Sequence, residues 1–173
     1  FASFIDGQDL GLIKWIYSNQ QWSYRDIYRN FPMQIESING IEIVNSQVFL
    51  GTDSGLLVAN IRNNLKDPNS WELTSNEYNS SIDAMCRVEN GFVFISNQKI
   101  YKVIYTNDTI QYEDLDIQIP VEFSDFLLDR DGFIWGLNNK KVYSQKNDFD
   151  PISTEKILYD IALDNKGNII IGS

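Results

Sequence analysis

The sequence predicts an all-β protein made of β-propeller blades, and three observations predict it. The 173-residue chain is 43% hydrophobic and 13% aromatic, and Val, Ile, Thr, Phe, Tyr and Trp fill its apolar runs, the residues that suit a pleated surface better than a helix. The runs are short and are separated by polar turns carrying Gly, Asn or Asp, which is the punctuation of strands. A longer period also repeats. With the second apolar run of each unit aligned, Phe4, Phe49, Phe94, Trp135 and Ile171 share a column at intervals of 45, 45, 41 and 36 residues, in the range of a four-stranded blade.

About four and a quarter blades are expected, in units 1–31, 35–76, 81–116, 121–155 and 157–173 of one propeller segment. The first unit opens at Phe1 inside an apolar run and offers the last three strands of a blade. The second reads ESINGIEIVN, QVFLGTD, GLLVANI and, after the polar connection RNNLKDPN, SWELTSN. The third reads SIDAMCRVE, GFVFISN, KIYKVIY and IQYEDLD; the fourth reads VEFSDFLLD, GFIWGLN, KKVYSQK and a short last run near DPISTEK. The fifth, IALDNKGNIIIGS, stops after two strands. The two ends do not complement each other, so the expectation is an arc of a larger ring of six to eight blades, cut at both ends.

The turns supply detail. In LLDRDGFIWGL the DRDG segment joins the innermost strand to the second, and Gly132 provides a backbone shape that a Cβ would penalise. NSQ, ENG and NKG stand at the same place in other units. Gly51, Gly136 and Gly172 close the second strand, where packing between blades is expected to leave little room for a side chain.

Charge narrows the function. The net charge is −10, shared as −3, −4 and −3 among residues 1–60, 61–120 and 121–173, so neither sign is concentrated. A nucleic-acid surface needs clustered cations, and the one adjacent basic pair is Lys140 and Lys141. Cys86 is the single cysteine and the chain has no histidine, so the thiol has neither a disulfide partner nor a ready base and reads as structural. No apolar stretch is long enough to span a bilayer. Asn79-Ser80-Ser81 and Asn107-Asp108-Thr109 are sequons between strands.

Carboxylates and aromatics are the candidates for chemistry. Asp129 and Asp131, in Asp-x-Asp-Gly order, could open a calcium loop, but no later acidic residue closes it, so no metal or other cofactor is expected. Asp26, Asp83, Asp125 and Asp160 could pair across a sugar as a glycosidase requires. Asp83, Asp125 and Asp160 instead recur at comparable points of inner strands, which fits a repeated structural role and a non-enzymatic chain. The first unit carries Trp15, Tyr17, Trp22, Tyr24, Tyr28 and Phe31. Trp15 and Tyr17 share one strand face and either pack between blades or present a platform for a sugar or peptide.

LLDRDGFIWGLNNKKVYSQ, IALDNKGNIIIGS and VFLGTDSGLLVANI resemble the two-component-regulator propeller repeat: an apolar strand, Asp, a turn with Gly, then Ile-Trp-(Ile/Val)-Gly-Thr and a Gly-Leu opening the next strand. Gly51, Thr52, Gly55 and Leu56 match; Leu137 and Ser173 replace the Thr elsewhere, and Ser96 and Asn97 stand where the third unit should carry Gly-Thr. The connection from Asn64 and Leu65 through Asp67 and Pro68 to Trp71 is similar to the PorZ-like propellers of the type IX secretion system. That likeness implies a recognition scaffold in the periplasm or at the outer surface of a Gram-negative bacterium. Its partners would be other proteins of an envelope complex or a surface polysaccharide, with Trp15, Tyr17, Asn64, Asp67 and Trp71 as binding residues. The alternative implied by the repeat is the periplasmic ligand-sensing propeller of a hybrid two-component regulator, and a third reading is a polysaccharide-cleaving propeller enzyme.

Overall fold

The computed structural model describes residues 1–6, 9–74, 80–106 and 109–173. Asn79 and Asn107, the acceptors of both sequons, lie outside the described residues. Every described sheet is antiparallel and runs in chain order. The chain divides into two compact units, Phe1–Ile82 and Asp83–Ser173.

The first unit begins with a three-stranded sheet of β1 (Ala2–Asp6), β2 (Asp9–Ser18) and β3 (Gln21–Tyr28). A four-stranded sheet follows, of β4 (Ile38–Val44), β5 (Gln47–Thr52), β6 (Gly55–Asn60) and β7 (Trp71–Leu73). Leu12 and Tyr28 of the first sheet share one apolar cluster with Val48, Leu50, Leu57 and Trp71 of the second. Chain reversal within the sheets takes two residues: Asn19 and Gln20, and likewise Asn45 and Ser46, all have positive φ. That is the twist a two-residue hairpin needs, and it favours Asn in first place.

The second unit holds β8 (Ile82–Val88, starting at the last residue of the first unit), β9 (Gly91–Ser96), β10 (Lys99–Thr106) and β11 (Thr109–Gln118) as one sheet. β12 (Asp125–Leu128), β13 (Ile134–Asn138), β14 (Lys141–Ser144) and β15 (Ile152–Ser153) form the next. β16 (Asp160–Leu163) and β17 (Ile169–Gly172) form a pair. Val93, Ile95 and Ile100 pack with Phe123, Phe126 and Tyr143, while Leu137 and Val142 pack with Leu158 and Ile161. Sheet-to-sheet contact therefore makes the core, as repeated blades require.

The DRDG and DNKG turns fold alike. Asp129 Oδ1 accepts from the N–H groups of Asp131 and Phe133, both at 3.0 Å, and Asp164 Oδ1 accepts from those of Lys166 and Asn168, both at 2.8 Å. The glycine N–H of each turn donates to the carbonyl of its aspartate at 3.0 Å, and Gly132 and Gly167 have φ of 84° and 87°. Each carboxylate thus satisfies backbone donors that a four-residue reversal would leave open.

Two expectations are corrected. Counted back from the second hairpin, whose closing pairs are Asp6 with Asp9, Thr52 with Gly55, Ser96 with Lys99 and Asn138 with Lys141, the equivalent residues are Phe4, Leu50, Phe94 and Gly136. Phe49 and Trp135 are one place out of step. Most of the second strand is buried on both faces, with Phe92 to Ile95 fully enclosed, so alternation cannot fix its register. The glycines also differ. A Cβ on Gly136 would lie 2.2 Å from the Phe123 ring, whereas one on Gly172 would meet nothing closer than 3.5 Å; crowding requires the first and not the second.

Asp129→Asn should cost about 2 kcal/mol in denaturant unfolding, because one oxygen becomes an N–H donor in a turn built to receive donors. Gly136→Ala should cost a similar ~2 kcal/mol by overpacking, and Gly172→Ala less than ~0.5 kcal/mol. Equal losses for the two glycines would contradict the assignment.

Candidate functional site

The β2–β3 hairpin carries the most exposed aromatic surface among the described residues. Leu12 and Tyr28 point into the core, so the two-residue period sends Trp15 and Tyr17 to the opposite face. One residue more on β3 than on β2 separates the pair Lys14 and Asp26 from the pair Trp15 and Tyr24; this bulge adds local twist. Beyond it Trp15 lies opposite Tyr24 and Tyr17 opposite Trp22. The ring centroids are 6.3 Å apart in the first pair, at 77°, and 5.1 Å apart in the second, at 48°.

These four rings are 44% to 69% exposed. They form a ladder two rings wide and two deep, and they pack against each other across the hairpin. The long hairpin of the third sheet offers a contrast: Tyr101, Tyr105 and Tyr112 on β10 and β11 are all half-buried. At the base of the aromatic hairpin Asp26 holds Lys66 at 2.7 Å. The hydrogen bond to Lys66 keeps the Asp26 carboxyl below its ordinary range. An open cleft of about 460 Å³ also lies in the first unit, lined by Leu10, Arg29, Phe31, Met33 and Pro68 among others, with the Arg29 guanidinium 5.2 Å from the Phe4 ring.

The Asn64–Trp71 connection is occupied with its own structure. Asn64 Oδ1 accepts from the Lys66 N–H at 3.2 Å, and Asp67 Oδ1 from the Asn69 N–H at 2.9 Å, capping a short 3-10 turn over Pro68–Ser70. Trp71 is buried, donates from Nε1 to the Leu65 carbonyl at 3.1 Å and meets the Phe31 ring edge-on at 5.4 Å. Of the residues singled out in the sequence, Trp15 and Tyr17 therefore stand together at the surface, Asn64 and Asp67 shape the connection, and Trp71 is buried at the start of β7. Trp22 and Tyr24 complete the surface group; their alternation on QWSYRD was the signal that joins them to it.

The acidic candidates are likewise engaged. Asp129 Oδ2 accepts from Trp135 Nε1 at 3.0 Å and faces Lys146 Nζ at 2.8 Å. Burial pushes its carboxyl up, but Lys146, Trp135 and the turn N–H groups together outweigh that and hold it at about 2. Asp131 is exposed and lies 3.2 Å from Lys146. Among the described residues no three His, Cys, Asp or Glu side chains are grouped to hold a metal ion. Asp125 Oδ2 accepts from the Ile161 N–H of the next inner strand at 3.0 Å, while Oδ1 accepts from the Phe126 N–H at 2.9 Å.

No protein-family model matches the chain, and no curated protein matches it. Solved structures do. The extracellular domain attributed to a hybrid two-component system of B. thetaiotaomicron aligns with 99% of this chain at 15% identity and a TM-score of 0.56. This chain spans 24% of that domain, about a quarter of its length. The AfRom2 CNH domain aligns with 98% of the chain at 11% identity and a TM-score of 0.58, over 58% of its own length. An inactive variant of virginiamycin B lyase from Staphylococcus aureus, with quinupristin, aligns with 99% at 12% identity and 0.51, over 73% of its own length. At such identities the likeness is one of fold: the chain is all-β, made of propeller-type blades.

Structural and surface aromatics should separate cleanly by stability. Trp71→Phe should lower it by about 2 kcal/mol through the lost hydrogen bond and packing, while Trp22→Ala should change it by less than ~0.5 kcal/mol. A Trp22→Ala loss as large as that of Trp71→Phe would show that the hairpin rings are core.

Proposed function

We propose that this chain is part of an exported, ligand-sensing propeller of the kind carried by hybrid two-component regulators, and that it takes an oligosaccharide on the aromatic ladder of the β2–β3 hairpin. The observation that carries the reading is the group of four exposed rings, Trp15, Tyr17, Trp22 and Tyr24, held in register by backbone pairing. A sugar offers an apolar face of C–H groups and a rim of hydroxyls, and such a face stacks on aromatic rings. Two rings in succession along each strand suit an extended chain better than a single residue.

The likeness to the B. thetaiotaomicron domain supports the sensor over the secretion scaffold and supports an exported location, although fold alone is a weak guide to function. A type IX secretion role, with envelope proteins as partners, would rest on the Asn64–Trp71 connection. Its side chains make the loop, which leaves the scaffold reading second. The proposal is of binding without catalysis: Asp26, Asp125 and Asp129 are all committed to neighbours within the chain.

A glycan array followed by calorimetry tests this. Wild-type protein should bind a soluble oligosaccharide, and the double variant Tyr17→Ala with Trp22→Ala should lose about 2 kcal/mol of binding, roughly thirtyfold in Kd. Unchanged affinity in the folded double variant would remove the ladder as the site; turnover of the bound sugar would replace the sensor with an enzyme.

A further inference from the structure

The second unit holds a cavity that the sugar-binding reading does not use. Its volume is about 410 Å³, within the range of roughly 300 to 1,000 Å³ that small-molecule sites occupy. It lies where two inner strands end: Val88 closes β8, Leu128 closes β12, and both line it. Val93, Ile104 and Leu115 make the rest of an apolar wall. Val93 is fully buried, and Val88, Leu115 and Leu128 pack against the cluster that holds Phe123 and Phe126.

Three polar side chains share this cavity, those of Glu89, Asn90 and Lys102. Lys102 is half-buried, yet among the described residues its ammonium group has no ion pair. The other lysine of β10 behaves differently, for Lys99 reaches Asp114 at 3.3 Å. Glu113 stands opposite Lys102 in the ladder without pairing to it. Glu89 and Asn90 are exposed at the turn between β8 and β9, and neither side chain is bonded within the described chain. Asparagine amides near other strand ends are taken: Asn39 on β4 donates from Nδ2 to the Ile82 carbonyl at 2.8 Å, and Asn138 on β13 to that of Glu122 at 2.6 Å. A cation drawn halfway into an apolar wall costs free energy unless something pairs with it.

The charges select the partner. Glu89 and Lys102 line one cavity and do not pair with each other, which leaves both to a third body. A simple anion would be repelled by Glu89, and a simple amine by Lys102. A molecule with both charges on one carbon and an apolar group beside them answers the whole cavity: carboxylate to Lys102, ammonium to Glu89, side chain to the wall. Asn90 has a donor for the first charge and an acceptor for the second. We propose that the cavity beside the β8–β9 turn binds a free amino acid with a large apolar side chain, held at its two charges by Lys102 and Glu89. The aromatic hairpin belongs to the first unit, so the two sites are tested apart.

Ligand-detected NMR of the full chain with leucine and with phenylalanine reads this site. Leucine should bind roughly tenfold or more tightly than 4-methylpentanoate, which lacks the amine, and than 3-methylbutylamine, which lacks the carboxylate, because each analogue loses one charged hydrogen bond. Lys102→Met keeps an apolar stem in the wall and should weaken leucine by a similar factor, whereas Tyr17→Ala with Trp22→Ala should bind it as the wild type does. A second measurement needs no variant: backbone amide shifts caused by leucine should gather at residues 88–93, 102–104 and 128. Binding of neither amino acid, an analogue lacking one charge that binds as well as leucine, or unchanged affinity in folded Lys102→Met would overturn the proposal, as would loss of leucine binding in the hairpin variant.

Discussion

The two sheets β4–β7 and β8–β11 each have a second strand buried on both faces, and much of the structure answers to that constraint. Val48, Phe49 and Leu50 in one sheet and Phe92 to Ile95 in another have no exposed surface. A strand enclosed on both sides needs an apolar layer above and below, so a single blade cannot bury its own core and must be stacked with others. The connections must then reverse the chain in little space. They do so with paired positive-φ residues at Asn19–Gln20, Asn45–Ser46 and Asn97–Gln98, and with the Asp-capped glycine turns at Asp129 and Asp164.

The same demand divides the polar and aromatic residues into those already committed and those left over. A buried or half-buried carboxylate must be satisfied by donors, and Asp129 meets four: two backbone N–H groups, an indole and an ammonium group. Trp71 spends its N–H and its ring within the blade. The β2–β3 hairpin is different because its far end runs beyond the part of the sheet that packs, past a bulge that turns it. There the rings have only one another, and an aromatic surface unpaired with a core is where recognition has room to act.

Much of the architecture was legible in the sequence. The three-strand, four-strand, four-strand, four-strand and two-strand order follows from the apolar runs and the turn residues between them, and the likeness of DRDG to DNKG is real down to individual hydrogen bonds. Register was harder to read. Phe49 and Trp135 sit one place away from Phe4 and Phe94 because a strand whose apolar residues run consecutively has no alternation to count, and because the first hairpin turns in two residues at Asn45–Ser46 but in four at DRDG. Trp15 and Tyr17 were visible as a strand face; what the sequence could not supply was which side of the sheet meets a core. That depends on Leu12 and Tyr28 packing against the next blade, a long-range fact. The bond from the Ile161 N–H to the Asp125 carboxylate spans 36 residues of chain, and only the recurrence of Asp at the head of the inner strands hinted at it.

The amide connection at Asn39 has a consequence in time. Asn39 is followed by Gly40, the neighbour that least hinders attack of a backbone nitrogen on the side-chain amide, and asparagine is among the thermolabile residues. Loss of ammonia there would turn the donor that holds the Ile82 carbonyl into a carboxylate facing an acceptor. The bond would become a repulsion without any mutation. Old molecules would then carry at position 39 a negative charge that young ones lack, and the bond from β4 to the Ile82 carbonyl would be the one that records the age of the chain.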